Sequence, residues 1–278
     1  MSQVVLITGA GSGLGRALAG AYGERGARLL LADCQEAGLA EVAASLQGRG
    51  VEVLTQLCDV RQADAVTALV QGAVSAWGRL DLMINNAGVA VSGPVVDVTL
   101  DDWHWVMDIN FYGVLHGCQA AARVMQAQGQ GHIVNIASMA GLLNPPEMAA
   151  YNASKAAVVS LSETLAAEMA PYGVAVHLIC PGFFATGLGR SLRSTRASTA
   201  AALERLMRSS PLDADAIAAR IISACERGEA CLLPHAEGRR YWRLKRWWPA
   251  GFRRRMQAMA IAMAAKAARQ EKQHVGHQ

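Results

Sequence analysis

The sequence lacks the residue spacing of a metal site or a disulfide framework. Its six cysteines are dispersed and include no CxxC pair, and its seven histidines show no ligand spacing. The cysteines are Cys34, Cys58, Cys118, Cys180, Cys225 and Cys231. We therefore predict no metal, and we interpret the cysteines as small apolar residues in a reducing compartment.

Long apolar runs are also missing. No stretch reaches the ~18 to 20 apolar residues that a membrane-spanning helix requires. The N-terminus, Met1 to Val4, has no basic n-region and no cleavage site. Internal repeats and low-complexity linkers are absent as well. We predict a cytoplasmic protein, and a chain of 278 residues that is 52% hydrophobic can bury a large core by itself.

A glycine-rich turn follows the first apolar run, Val4–Ile7. Thr8, Gly9, Gly13 and Gly15 fit the spacing TGxxxGxG, and the stricter GxGxxG spacing is not met. Glycines let the backbone approach a pyrophosphate closely, and the N-terminus of the following helix supplies N–H donors and a positive dipole end. The predicted dinucleotide contacts here are Gly9, Ser12, Gly13, Leu14 and Gly15.

Tyr151 and Lys155 stand four residues apart in the sequence YNASK, and Ser138 lies thirteen positions before Tyr151. On a helix, positions i and i+4 share a face, so the phenol and the ammonium would point into one cleft. A phenol has a pKa of ~10, and a nearby cation stabilises the phenolate. Matching the pKa to neutral pH needs a drop of about three units, or roughly 4 kcal/mol. Lys155 and an oxidised nicotinamide could supply it, while Ser138 binds the substrate oxygen.

Taken alone, Tyr and Lys at this spacing are a common accident of exposed helices. Together with the glycine turn they resemble the short-chain dehydrogenase/reductase family, in its ordinary-length branch with TGxxxGxG and YxxxK motifs. The resemblance covers roughly residues 3 to 234. It implies a catalytic tetrad of Ser138, Tyr151, Lys155 and Asn110, the last holding a water in a proton relay behind the lysine.

The resemblance also implies cofactor contacts at three further places. These are the turn after Asn85, the aspartate near the adenine and the PGxxxT segment near the nicotinamide carboxamide. With Tyr151 and Lys155, the residues concerned are Asp59, Val60, Asn86, Ala87, Gly88, Pro181, Gly182 and Thr186.

Each of these matches has an ordinary alternative. Asn85 and Asn86 can be turn formers, Asn110 a surface helix residue, and Pro181-Gly182 a plain loop. For any one of these matches taken alone, we favour the ordinary interpretation. When the matches are taken together with the Tyr-Lys pair, we favour the functional interpretation.

Charge favours NAD over NADP. Asp33 ends the apolar run Leu29–Ala32, where a carboxylate can accept hydrogen bonds from both hydroxyls of the adenosine ribose. A 2′-phosphate would be repelled there unless a cation intervened. Ser12 stands where NADP-using relatives often carry Lys or Arg, position 34 is Cys34, and Arg16 lies past the loop. The alternative, a solvated strand-end Asp33, fits its spacing from the glycine turn less well.

Apolar runs alternate with amphipathic segments such as 39–46, 64–77 and 156–169. This alternation predicts an α/β fold, a single Rossmann-type doubly wound parallel sheet with helices on both faces. We assign residues 1–238 to an NAD-binding catalytic domain, with 187–210 as a substrate lid. Residues 239–278 form a basic, aromatic C-terminal extension that we expect to be helical.

Apolar residues flank the tetrad and predict a lipophilic alcohol or carbonyl as substrate. The predicted pocket residues are Met139, Leu142, Leu143, Met148, Phe183 and Phe184. Several of them could instead pack the loop, since pockets and cores share residue types. Arg190, Arg193 and Arg196 lie three apart along the lid and could meet an anionic substrate group, although a solvated lid face is favoured.

The C-terminal extension carries its own signal. Residues 239–278 hold 11 of the 26 Lys and Arg and a single acid, Glu271, a net charge of +10, whereas residues 1–238 hold 15 cations and 21 acids, a net charge of −6. Tyr241, Trp242, Trp247 and Trp248 alternate with these cations. Three interpretations stay open: a peripheral membrane contact through 239–272, packing on the enzyme as a lid or oligomer contact, and a nucleic-acid patch, which we regard as unlikely.

The sequence thus predicts an NAD-dependent oxidoreductase that interconverts a lipophilic alcohol and its carbonyl. The alternative is a non-catalytic NAD(H)-sensing or scaffolding protein on the same fold. In the family, helices equivalent to residues 100–125 and 156–169 usually form a dimer contact, so the resemblance implies a homodimer or homotetramer.

Overall fold

The computed structural model describes residues 2–184, 189 and 191–275. Seven parallel strands form one sheet in the order β3-β2-β1-β4-β6-β7-β9, and two short strands pair separately as β5-β8. The strands are β1 (Val4–Thr8), β2 (Arg28–Asp33), β3 (Val53–Leu57), β4 (Leu82–Asn85), β5 (Val91–Ser92), β6 (Gly131–Ile136), β7 (Val174–Ile179), β8 (Arg193–Ser194) and β9 (Cys231–Leu232).

Helices cover both faces of the large sheet, which confirms the predicted doubly wound α/β fold and its C-terminal helical extension. They are α1 (Gly13–Glu24), α2 (Glu36–Gln47), α3 (Ala63–Trp77), α4 (Leu100–Met107), α5 (Gly113–Gln128), α6 (Met139–Leu143), α7 (Ala149–Met169), α8 (Ala197–Arg208), α9 (Ala214–Glu226), α10 (Ala236–Trp247) and α11 (Pro249–Val275).

Strand β1 explains the two layers. All five of its residues are buried, because successive side chains point to opposite faces of a sheet that is covered on both. Val4 and Leu6 belong to one apolar core, and Val5 and Ile7 belong to the other. Full burial of Leu6 and Ile7 contributes roughly 1.5–3 kcal/mol each.

The strand order reverses direction at β1. β2 and β3 extend the sheet to one side, whereas β4 pairs with the other side of β1. A crevice therefore opens at the carboxyl ends of β1 and β4, where ligands bind in folds of this kind.

The sequence predicts one helix from Leu100 to Met125, and the structure differs. A π-helical segment, Asp108–Tyr112, separates α4 from α5. Such segments are rare and often occur at functional sites. Asn110, one of the predicted tetrad residues, lies within it and is fully buried.

The predicted domain boundary between residues 238 and 239 lies inside helix α10, which runs from Ala236 to Trp247. Across the described ranges, no helix combines the length and the apolar character needed to traverse a bilayer.

Candidate active site

A cavity of about 690 Å³ opens at the carboxyl edge of the sheet, over β1 and β4. It collects predicted residues that are far apart in sequence. Those lining it are Gly9, Ser12, Gly13, Leu14, Asp33, Asp59, Val60, Asn86, Ala87, Gly88, Ser138, Tyr151, Lys155, Pro181, Gly182, Phe183 and Phe184.

The glycine turn is close-packed against the turn after β4. Gly9 has a φ of +65°, and a Cβ there would lie 2.8 Å from the Cα of Ala87. A Cβ on Gly15 would lie closer still to the carbonyl oxygen of Gly9. Neither position accepts a side chain without a backbone shift. Ser12 precedes α1, and no side chain caps the helix, so its first N–H groups face the cavity.

The turn after β4 is bound to the glycine loop by Asn86. Its Nδ2 donates to the carbonyl oxygens of Thr8 at 2.9 Å and Gly9 at 3.0 Å. The backbone N–H groups of Asn86 and Ala87 donate to Thr8 Oγ1. Asn85 points the other way, where its Nδ2 donates to Asn135 Oδ1 at 2.8 Å.

Asp33 is held by two backbone donors at the end of β2. Gly11 N donates to its Oδ2 and Gln35 N to its Oδ1, both at 2.9 Å. Arg16 also borders the cavity, but its guanidinium is paired with Glu41 at 2.8 Å. Two carboxylates therefore border this part of the cavity, each within reach of a backbone donor or a cation.

Asp59 and Val60 follow β3 at the same edge. The Asp59 carboxylate pairs with Arg61 at 2.6 Å, and the hydrogen bonds from Arg61 lower the pKa of Asp59. Val60 is buried, and a Cβ on Gly113 would lie 2.7 Å from its Cγ2. The position of α5 therefore depends on a glycine that packs against Val60.

Tyr151 and Lys155 lie on the buried side of α7. The exposed fraction is 5% for Tyr151 and 3% for Lys155. Burial raises the pKa of Tyr151 to about 12, although an interaction with Ser138 acts to lower it. Burial lowers the pKa of Lys155 to about 8, against an opposing effect of Cys180. We expected Lys155 to lower the Tyr151 pKa. In the structure, the desolvation of the phenol outweighs the lowering effects of the groups around it.

Ser138 ends the loop after β6 and caps α6. Its hydroxyl accepts a hydrogen bond from Ala140 N at 3.1 Å, which leaves its own O–H as a donor. The Lys155 ammonium donates to the carbonyl oxygen of Ile136 at 2.9 Å. Strand β6 thus positions both groups.

Three hydrogen bonds fix the side chain of Asn110. Its Nδ2 donates to Val89 O at 2.9 Å and to Ser154 Oγ at 3.0 Å, and its Oδ1 accepts from Val89 N at 2.8 Å. Both amide hydrogens are engaged, so any relay to Lys155 must use an oxygen of Asn110. A Cβ on Gly88 would lie 3.2 Å from Asn110 Oδ1 and 3.5 Å from Lys155 Nζ, so this glycine keeps the space between them open.

The Pro181-Gly182 turn follows β7. Gly182 N donates to His235 Nδ1 at 3.0 Å, and the His235 ring lies 6.3 Å from that of Phe184. The segment just before the C-terminal extension therefore supports this turn. Thr186, predicted to contact the cofactor, lies outside the described residues.

The six predicted pocket residues lie in three different places. Phe183 and Phe184 line the cavity. Met139, Leu142 and Leu143 pack in or against the apolar core that contains Val4 and Leu6, which we call the main core, and Trp242 of α10 packs there as well. Met148 packs with Tyr151 in a smaller core. Met139, Leu142 and Leu143 do not line the cavity, because α10 covers α6. Packing of the extension on the enzyme was one of the interpretations left open, but the sequence did not indicate which residues it would cover.

The predicted lid, residues 187–210, is described at 189 and from 191 onward. Leu203 and Met207 of α8 pack near Tyr151. Arg193 pairs with Asp102 at 2.8 Å, and Arg196 pairs with Glu147 at 3.2 Å and with Asp97 at 3.4 Å. These two arginines hold the segment to the body, in contrast to the solvated face that we favoured. Arg190 lies outside the described residues.

Several residues that line the cavity escaped sequence reasoning. Val89, Ile109, Ile136 and Met207 carry no motif and reach the site only through packing. Ser191 also lines it, and Arg16 was considered only as a cation that lies past the glycine loop. Within 2–184, 189 and 191–275, no group of three or more His, Cys, Asp and Glu side chains is arranged to hold a metal ion.

Comparison with known proteins now decides the family. Residues 3–197 match the sequence profile described as short chain dehydrogenase. The chain belongs to this family. The structure of a short chain dehydrogenase/reductase from Burkholderia phymatum in complex with NAD matches with a TM-score of 0.85 and 38% identity, covering 88% of this chain and 93% of that chain.

Two curated relatives differ in substrate. D-threitol dehydrogenase of Mycolicibacterium smegmatis is 40% identical over 187 residues, 67% of this chain and 72% of the relative. The 3-oxoacyl-(acyl-carrier-protein) reductase of Synechocystis sp. is 34% identical over 194 residues, 69% of this chain and 78% of the relative. The chain is thus an oxidoreductase of the short-chain dehydrogenase family with a nicotinamide cofactor, and membership does not name the substrate.

Proposed function

We propose that this chain is an NAD-dependent dehydrogenase/reductase that interconverts a lipophilic alcohol and its carbonyl compound. The observation that carries the proposal is the common cavity of Ser138, Tyr151, Lys155 and the glycine turn. Acid–base groups and a dinucleotide cradle on one cavity suit direct hydride transfer.

The cradle fits a dinucleotide. Gly9 and Gly15 leave no room for a Cβ, and the uncapped N-terminus of α1 presents N–H groups to a pyrophosphate. Asp33 would hold the adenosine ribose, since its carboxylate is already oriented by Gly11 N and Gln35 N. A 2′-phosphate would face Asp33 and Glu41 together, and Arg16 is engaged by Glu41. This arrangement supports NAD over NADP.

Each tetrad residue has a role that its position supports. Ser138 donates its O–H to the substrate oxygen, and Tyr151 takes or gives the proton at that oxygen. Lys155 orients the ribose next to the nicotinamide and holds positive charge near the phenol. Asn110 connects Lys155 to solvent through a water held by one of its oxygens. When bound, oxidised nicotinamide accepts the hydride and brings a positive charge that lowers the Tyr151 pKa.

The substrate end of the cavity is apolar. We place this end at Phe183 and Met207, which line the cavity and share a small apolar cluster with Tyr151. Arg193 and Arg196 are occupied by carboxylates of the body. An anionic substrate group would have to displace those ion pairs. A lipophilic alcohol or ketone therefore fits better than an acid or a sugar.

The test is nicotinamide reduction by the purified protein with NAD and, separately, NADP. The panel contains primary and secondary lipophilic alcohols together with D-threitol and xylitol. We expect turnover with NAD on an apolar alcohol. A preference for NADP would contradict the role of Asp33, and a preference for the polyols would contradict the apolar substrate.

Silence across the panel, with NAD binding shown by calorimetry, would favour the non-catalytic NAD(H) sensor or scaffold. All four tetrad residues are present, which supports the enzyme. We also propose a homodimer or homotetramer, in line with the family resemblance of α5 and α7. The molar mass of the protein, measured by light scattering after size-exclusion chromatography, tests this oligomeric state. A monomer at micromolar concentration would refute it.

A further inference from the structure

The C-terminal extension is docked at its beginning. Trp242 packs against the main core, Gly238 is buried against Met139, and Lys245 Nζ donates to Leu142 O at 2.5 Å. Arg239 donates to Leu233 O at 2.7 Å. Helix α10 therefore belongs to the enzyme body, as one of the three interpretations of this segment expected.

The junction of α10 and α11 is different. We name it the Trp–Arg corner: Arg246, Trp247, Trp248, Arg253 and Arg254. Trp247 is 84% exposed and Trp248 60% exposed, and the three arginines are exposed as well. Exposed tryptophans next to each other mark interaction sites, because water offers their rings no favourable contact.

The corner is anchored, so its exposure is a feature of the fold. Phe252, in the first turn of α11, is only 4% exposed. Trp248 O accepts from Phe252 N at 3.0 Å, and Gly251 lies directly against the Trp248 ring. Further along α11, Ile261 is 71% exposed.

The cations of this segment have no anionic partner. The sequence from 239 to 270 contains no Asp or Glu, and in the described ranges no ion pair involves a cation from Arg239 to Lys266. The rest of the chain carries a net charge of −6. Within the part of the chain that the structure describes, these cations are therefore available to a partner that carries negative charge.

We propose that the Trp–Arg corner and the exposed side of α11 bind the surface of an anionic lipid bilayer. Tryptophan rings are favoured at the headgroup level, and arginine binds phosphate oxygens with two donors. Two copies of the corner would repel each other by their like charge. Arg255 lies over the Tyr241 ring at 5.2 Å and Arg246 over the Trp242 ring at 5.6 Å, so these two rings of the extension are not free to stack on the bases of a single-stranded nucleic acid. Trp247 and Trp248 alone would offer such a strand a platform of two adjacent rings.

The test is co-sedimentation of the full-length protein with vesicles at physiological salt. One set contains phosphatidylcholine alone. The other contains about 30 mol% phosphatidylserine in phosphatidylcholine. We expect binding to the anionic vesicles only. Arg253→Glu/Arg254→Glu should weaken it at least about tenfold, because four units of charge change at the surface. Trp247→Ala should weaken it less.

The matched control is Arg205→Glu/Arg208→Glu, which makes the same charge change on two exposed arginines of α8. Binding should survive it. An equal loss in the control would mean unspecific attraction and would overturn the proposal, as would wild-type protein that stays in the supernatant. Dissociation of an oligomer by Trp247→Ala, or tighter binding to a single-stranded oligonucleotide than to vesicles, would assign the corner to another partner and refute the lipid site.

Discussion

The catalytic body and the Trp–Arg corner use arginine in opposite ways. In the body, Arg61, Arg193 and Arg196 each pair with carboxylates, in a loop or in the segment that we predict to be a lid. In the corner, Arg253 and Arg254 are exposed and have no ion pair within the described residues. An exposed ion pair within a molecule engages both charges even though it contributes only about 0–1 kcal/mol, whereas unpaired charges of one sign are available to a partner.

The same contrast holds for the aromatic residues. Tyr151 and Phe184 are buried beside the cavity, and Trp242 packs on the core. Trp247, five positions after Trp242, is almost fully exposed. Five residues along one helix thus separate a side chain that stabilises the fold from one that is free for another surface.

The largest expected effect is on turnover. Tyr151→Phe removes the proton donor and keeps the ring, so the rate should fall by about 10² to 10⁴-fold while NAD affinity stays nearly unchanged. Steady-state kinetics and calorimetry measure the two. Arg253→Glu/Arg254→Glu should leave turnover on a water-soluble substrate intact. A Tyr151→Phe enzyme with half the wild-type rate would exclude the assigned role.

Cofactor preference comes next. Asp33→Ser removes the carboxylate that we assign to the ribose hydroxyls, so the ratio of kcat/KM for NAD over NADP should fall by roughly 10- to 100-fold, the worth of charged hydrogen bonds. Glu36→Gln is the control, because it removes an exposed carboxylate of α2 that does not line the cavity. An unchanged ratio in Asp33→Ser would show that Asp33 does not select the cofactor.

The pH dependence follows from the burial of Tyr151. Since burial raises the pKa of Tyr151 to about 12, its phenolate is scarce at neutral pH and becomes more available as the pH rises. The kcat/KM of alcohol oxidation should therefore increase with pH, by at most about tenfold per unit, whereas that of carbonyl reduction should stay nearly constant until the pH approaches 12, because the phenol remains protonated below it. A flat oxidation profile, with a deuterium isotope effect showing that hydride transfer limits the rate, would contradict the tyrosine as the base.

The smallest effects compare two tryptophans of α10. Trp242→Ala should lower the free energy of unfolding by about 1–3 kcal/mol, because a half-buried ring leaves the core. Trp247→Ala, at 84% exposure, should change it by less than about 0.5 kcal/mol. Denaturant titration measures both. Equal losses would mean that the corner is also part of the folded core.

Much of the cavity could be predicted because its residues carry local signals. Gly9 in the turn and Gly15 in the first turn of α1 lie where a Cβ would meet backbone atoms, and Asp33 is the last residue of an apolar strand. Parallel strands bring such strand ends to one edge, so motifs far apart in sequence meet there. The roles of these residues stay predictions, and their common location is what the fold supplies.

Other features depend on packing alone. The π-helical segment around Asn110 interrupts a pattern that looks continuous in sequence. Leu142 and Met139 have the composition of a pocket lining, yet α10 packs against them. His235 supports Gly182 across 53 positions, a pairing that no local pattern encodes.

By itself, the sequence determined the family, the alternation of strands and helices, the glycine cradle and the charge separation between body and tail. These properties follow from short motifs and from composition, which need no knowledge of distant neighbours. The tertiary structure alone decided which apolar residues line the cavity, which arginines find carboxylates and where the docked part of the tail ends. Each of those outcomes is set by competition among distant side chains for the same buried surface, and that competition is resolved only when the chain is folded.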